Sequence, residues 1–119
     1  MKNIFGWMQL TASDPQKAKA FYSQLFKWSF DSKTKKEGAT YIEIDAGEGL
    51  CAGIDQGETK EESRWVPFVN VNDIHEYTEK AKKLGAQVIV PVTDIGGGKG
   101  FYSVFVDPTG AVLGLWGPK

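Results

Sequence analysis

The sequence predicts an α+β domain built from two βαβββ modules, and three observations carry that prediction. A strand-like alternation runs through a capped turn into an amphipathic helix at residues 7–28. A weaker copy of the same design recurs from Val66 to Gln87, and each helix is followed by three short alternating segments separated by turn residues. Such a duplication implies a curved, mostly antiparallel eight-stranded sheet with helices on its outer face and a concavity within. The expected organisation is one domain over residues 1–119, with module one spanning about 4–56 and module two about 64–117.

In the opening strand Met8, Leu10 and Ala12 form the plainer apolar face, and Trp7, Gln9 and Thr11 occupy the other. Ser13-Asp14-Pro15 then reads as a helix start. Asp14 can accept from free backbone N–H groups, and Pro15 suits the first helical position, where its missing N–H costs nothing. Ala18, Phe21, Tyr22, Leu25 and Phe26 recur at offsets of three and four, an apolar stripe expected to cover Met8, Leu10 and Ala12.

Trp28 to Lys33 alternates as a strand, and Thr34 to Gly38 reads as a charged turn. Thr40 to Asp45 sets Tyr41, Glu43 and Asp45 on one side and Ile42 and Ile44 on the other. Ala46-Gly47-Glu48-Gly49 connects to a further strand, Leu50 to Ile54, and the polar stretch Asp55 to Ser63 reads as a linker. Trp65 to Val71 opens the second module. Asn72-Asp73 caps a helix whose stripe is Ile74, Tyr77, Thr78, Ala81 and Leu84, and Gly85 stops it. Gln87 to Val92, Phe101 to Val106 and Ala111 to Trp116 complete the strands, separated by the Ile95-to-Gly100 loop and the turn Asp107-Pro108-Thr109-Gly110.

Composition narrows the function classes. The chain has 119 residues, 41% hydrophobic and 24% charged, which is ordinary globular material. Basic and acidic residues nearly balance at 14 and 15, and Arg64 is the only arginine, so nucleic acid is not an expected partner. The lone Cys51 excludes an intrachain disulfide and points to a reducing, cytoplasmic location. The N-terminal stretch is too short and too soon interrupted by polar residues for a signal peptide, and no apolar run is long enough for a membrane span.

The Asp14…Ala20-Phe21-Tyr22…Leu25-Phe26 pattern, Val71-Asn72-Asp73, the Leu84-Gly85-Ala86 helix end and the Asp107-Pro108-Thr109-Gly110 turn before a last apolar strand occur in one order. Together they resemble the vicinal oxygen chelate superfamily, which includes glyoxalase I, bleomycin resistance proteins and extradiol dioxygenases, and within it a small glyoxalase-like group. The repeated units and Trp-rich strands make a homodimer the expected assembly, because the open side of each sheet needs cover. The resemblance implies a divalent metal held by a His, Gln or Glu on the first strand of each half and a Glu on the last. Here the first-strand positions fall at Trp7 and Val66, the final-strand position falls at Gly114, and the remaining one lies between Leu50 and Ile54, where Cys51 is the only side chain able to ligate. His75, beside Glu76 in the first turn of the second helix, reads as a surface histidine. No metal and no cofactor is therefore expected.

The candidate small-molecule site consists of Trp7, Gln9, Tyr41 and Glu43, with Phe68, Asn70 and Tyr102 as second-half counterparts; Trp65 joins them only if its strand starts after it. Trp7 is either core or an aromatic wall, and Glu43 either faces water or works as an acid or base beside that wall. No catalytic residue is assigned. Three functions fit: metal-independent small-molecule binding with latent or lost enzymatic activity, a metal-dependent lyase, isomerase or dioxygenase, and a structural or interaction module without a pocket. The Ile95-to-Gly100 loop lacks nucleotide-binding spacing and precedes a strand, so it reads as a connection rather than a phosphate cradle.

Overall fold

The computed structural model describes residues 2–34, 40–57 and 63–119. The elements are β1 (Phe5–Ala12), α1 (Pro15–Leu25), β2 (Ser29–Thr34), β3 (Thr40–Asp45), β4 (Cys51–Gln56), β5 (Arg64–Asn70), α2 (Ile74–Lys83), β6 (Gln87–Asp94), β7 (Phe101–Val106) and β8 (Val112–Gly117). This is the α+β class and the doubled βαβββ order expected. Most of the charged turn before β3 and of the linker before β5 lies outside the described residues. Contacts divide the chain into a first unit, Trp7–Val66, and a second unit, the segment up to Gly6 together with Pro67–Lys119.

In the first unit the strand order is β2-β3-β4-β1, with β1 parallel to β4 and the other pairs antiparallel. Asp14 caps α1 as its side chain predicts, Oδ1 accepting from the Lys17 N–H at 3.1 Å, and Pro15 takes the first turn. The core beneath α1 is Leu10, Ala12, Ile42, Ile44 and Ile54, with Ala18 and Tyr22 reaching it from the helix. Removing such a side chain from water contributes roughly 1.5–3 kcal/mol, so this face holds the unit together. The rest of the predicted stripe does not join it: Phe21, Leu25 and Phe26 are exposed, and α1 contains no buried residue.

The second unit has the order β5-β8-β7-β6, again with one parallel pair, β5 with β8, and antiparallel neighbours. Asp73 caps α2 through the Glu76 N–H at 3.2 Å. Ile74 is fully buried against Val71 and Leu115, and Tyr77 packs at the margin. Thr78 is buried too, and its hydroxyl meets that of Ser103 at 2.9 Å, so a polar pair enters the apolar layer with its hydrogen bond made. Leu84, read as part of the stripe, is exposed beyond the helix end.

Candidate functional site

Strand alternation decides which residues of the first unit share a face. Ile42 and Ile44 point into the core under α1, so Tyr41 and Glu43 point away from it; Leu10 and Ala12 do the same for Trp7, Gln9 and Thr11. Pairing then brings these positions together. The β1–β4 register sets Trp7 beside Cys51, Gln9 beside Gly53 and Thr11 beside Asp55, and the β3–β4 register sets Glu43 beside Gly53. Trp7 and Tyr41 stack with centroids 6.4 Å apart and planes inclined by 23°. The indole Nε1–H donates to Gln9 Oε1 at 2.8 Å, which fixes both side chains.

Gly53 is the floor under this stack. A Cβ there would lie 2.6 Å from Tyr41 Cζ and 2.9 Å from Trp7 Cζ2, so the rings occupy the space that any side chain would need. Burial, then the negative charges of Glu43, Asp55 and Cys51, push the Tyr41 phenol well above the ordinary tyrosine range. Tyr41 is therefore neutral at physiological pH. Glu43 pairs with Lys33 at 3.7 Å, and Lys33 also meets Asp31 at 3.0 Å; the Asp31 carboxylate, then the charge of Glu43, raise the lysine pKa.

At the end of these strands opens a groove of about 420 Å³, lined by Trp7, Glu43 and Cys51 together with the β3–β4 turn from Asp45 to Leu50 and the start of β2. Cys51 is exposed there. Of the predicted residues, Trp7 and Glu43 line the groove, while Gln9 and Tyr41 hold Trp7 from behind. The alternation had already put Asp45 on the side of Tyr41 and Glu43. That the turn residues form a lip follows only from the fold, because their sequence reads as a plain connection.

The second-half candidates do not form one cluster. Phe68 and Tyr102 meet edge to face at 6.1 Å, and Phe68 covers Gly114, its register partner, where a Cβ would lie 2.7 Å from Phe68 Cζ. Asn70 lies over Gly6, accepts from Asn3 Nδ2 through its carbonyl at 3.1 Å and donates its N–H to the Ile4 carbonyl, so it ties down the N-terminal segment. Trp65 is inside β5 and turns to the α1 side, donating from Nε1 to the Tyr22 hydroxyl at 3.3 Å with the rings 5.7 Å apart. Its opposite parity to Phe68 is the physical reason. His75 is exposed beside Phe101.

The donor set for an inherited metal does not fit. Trp7 offers only an N–H, already donated to Gln9; Val66 is a buried hydrocarbon; Gly114 lies under the Phe68 ring. The register narrows the fourth position, expected between Leu50 and Ile54, to one residue: Gly53 pairs with Gln9 two residues after Trp7, as Gly114 pairs with Phe68 two residues after Val66. Gly53, not Cys51, is thus the counterpart of Gly114, and aromatic side chains fill both places where a carboxylate would stand. Among the described residues no three His, Cys, Asp or Glu side chains converge as metal ligands, and no helix is long and apolar enough to cross a membrane.

Comparison with known proteins agrees with this fold. In solved structures the chain is similar to a hypothetical protein, BH1468, from Bacillus halodurans C-125, with TM-score 0.73, 14% identity and coverage of 100% of this chain and 96% of that one. It is also similar to a methylmalonyl-CoA epimerase in complex with methylmalonyl-CoA and ammonium, with TM-score 0.64, 12% identity and coverage of 98% and 95%. Among curated proteins it is 32% identical over 115 residues to "Putative glyoxylase CFP32" of Mycobacterium bovis and of Mycobacterium tuberculosis, covering 92% of this chain and 44% of those relatives. The chain thus spans less than half their length. A family model described as Glyoxalase/Bleomycin resistance protein/Dioxygenase superfamily matches residues 4–115. With that match across nearly the whole chain, and with the doubled βαβββ units behind it, the protein belongs to the Glyoxalase/Bleomycin resistance protein/Dioxygenase superfamily.

Proposed function

We propose that this chain binds a small organic molecule, without a metal, in the groove walled by Trp7 and Glu43, and that any catalytic activity of the fold is latent or lost. The observation that carries this reading is the Trp7–Tyr41 stack over Gly53: it presents an aromatic wall to a groove of about 420 Å³ and occupies the place of a metal-binding carboxylate. That volume is within the range of small-molecule sites, which combine apolar walls with a few polar groups. The epimerase of similar fold, solved with a coenzyme A ester, supports a small-molecule role.

Gln9 and Tyr41 act on the ligand through Trp7, by fixing the indole, while Glu43 faces the ligand directly. Phe68 and Tyr102 pack ring against ring in the second unit, and Asn70 ties down the N-terminal segment. The two modules, about 4–56 and 64–117, fold as one domain, and the protein is a homodimer; family membership and the aromatic side chains exposed on α1 support the assembly. The free, exposed Cys51 supports a reducing, cytoplasmic location.

The test is a metabolite library screened for ligand-induced melting shifts, since a compound that binds only the folded state raises its apparent stability. A hit is expected to weaken at least about tenfold in Trp7→Phe, roughly 1.4 kcal/mol, with the variant still folded. Elemental analysis of protein purified without a chelator or affinity tag checks the metal. A stoichiometric divalent ion retained through dialysis would end the metal-independent reading, and a hit indifferent to Trp7 would move the site elsewhere.

A further inference from the structure

We propose that the ligand of this groove is an organic cation, an ammonium or guanidinium group carried on an apolar or aromatic body. The inference rests on the groove reading above and adds a charge to it. Four carboxylate residues, Asp31, Glu43, Asp45 and Glu48, line the groove, and among the described residues no basic side chain does. The neighbouring cation is Lys33, held between Asp31 and Glu43. Among the described residues, that one ammonium against four carboxylates leaves three negative charges in excess, in a chain whose whole net charge is -1. A cleft lined by one sign of charge draws in the opposite one.

The aromatic wall points to the same class. An indole face attracts a cation through its quadrupole, by about 0.5–1 kcal/mol at an exposed site and more where water is excluded. Trp7 is half-buried and held in place by Gln9 and Tyr41, so little freedom is lost when a ligand settles on it. Burial is the main reason that the Tyr41 pKa is raised, and the smaller part due to Glu43 and Asp55 agrees with a negative potential behind the wall. A bare metal ion does not suit the same carboxylates, because among the described residues no three of them converge. A groove of this volume suits a molecule with a body.

Three probes that share one ring and differ in charge test the proposal by calorimetry: phenethylamine as cation, phenethyl alcohol as neutral, phenylacetate as anion. At low ionic strength the amine is expected to bind about tenfold tighter than the alcohol, and phenylacetate weakest. The amine's advantage should shrink as salt shortens the Debye length from about 10 Å at 0.1 M to about 3 Å at 1 M. The double variant Asp45→Asn/Glu48→Gln, checked for folding by circular dichroism, should narrow the amine-to-alcohol ratio severalfold. Asn at 45 keeps an acceptor for the Gly47 N–H that Asp45 Oδ1 receives at 2.8 Å, so the turn is preserved. Equal affinity for amine and alcohol, or a preference for phenylacetate, overturns the cation while leaving the groove reading standing. If none of the three binds although the library yields a Trp7-dependent hit, the cation is again overturned. Silence in both experiments removes the groove itself.

Discussion

The two units share a βαβββ order and a parallel first-to-last strand pair, yet they use the same backbone for different ends. Each places a glycine on its last strand, and each covers that glycine with an aromatic ring: Tyr41 and Trp7 over Gly53, Phe68 over Gly114. Around Gly53 the neighbours are polar and charged, namely Gln9, Glu43 and Asp55, and a groove opens beside them. Around Gly114 the neighbours include Phe68 and Tyr102, ring against ring. The difference teaches that the repeat carries the scaffold, while the side chains set around each covered glycine differ between the units: charged and beside a groove in the first, aromatic in the second.

The helices differ in the opposite sense. In the second unit α2 anchors through Ile74, fully buried, and through the Thr78–Ser103 hydrogen bond; in the first, α1 carries large apolar side chains in the open. Ile74→Ala should therefore have the largest effect on stability, about 2–5 kcal/mol, because it removes packed methylenes and leaves a cavity. In the isolated protomer, at protein concentrations too low for self-association, Phe21→Ser on α1 should stay within about 0.5 kcal/mol of wild type. Chemical denaturation of the two variants measures the contrast. Comparable losses at concentrations that allow self-association would mean that α1 is covered in solution, as the proposed dimer requires, and sedimentation of Phe21→Ser would then show dissociation.

A smaller effect is expected at the covered glycines. Gly114→Ala forces a methyl into the Phe68 ring, which is itself buried, and overpacking of this kind costs about 1–3 kcal/mol. In a double-mutant cycle, Phe68→Ala should relieve much of that cost, giving a coupling above about 0.5 kcal/mol. Additive losses would show that ring and glycine are independent, and the account of the missing carboxylate would fail for that half. Gly53→Ala should act on the groove, since the atoms it displaces belong to Tyr41 and Trp7.

Much of this was legible in the sequence because it is local. Asp14 with Pro15, and Asp73, are caps whose chemistry acts within one turn, and the alternation of Tyr41, Ile42, Glu43 and Ile44 sorts faces without knowledge of partners. Register is different. Spacing placed a strand between Leu50 and Ile54, but only its pairing with β1 selects Gly53 rather than Cys51 as the counterpart of Gly114. The α1 stripe was over-read for a related reason. Periodicity reports which residues share a helix face, not how wide a surface the sheet offers, and here Ala18 and Tyr22 take most of it.

The smallest expected effect sharpens the comparison at Tyr41 and Phe68, the phenol and the phenyl ring that cover the two glycines. Burial and the charges of Glu43, Asp55 and Cys51 raise the folded-state pKa of Tyr41 above its unfolded value near 10. Between the two values the folded protein keeps a proton that the unfolded chain has lost. Tyr41's contribution to stability is thus fully present below about pH 10 and is lost as pH rises toward the folded value. Phe68 has no such proton, so Tyr41→Phe makes the first unit resemble the second in this one respect. Denaturation from pH 8 to 11 should show wild type losing stability at the alkaline end and Tyr41→Phe losing less over the same range. If both fall in parallel, the phenol of Tyr41 is solvated like any surface tyrosine, and the first unit's cover over Gly53 is looser than its ring stack with Trp7 implies.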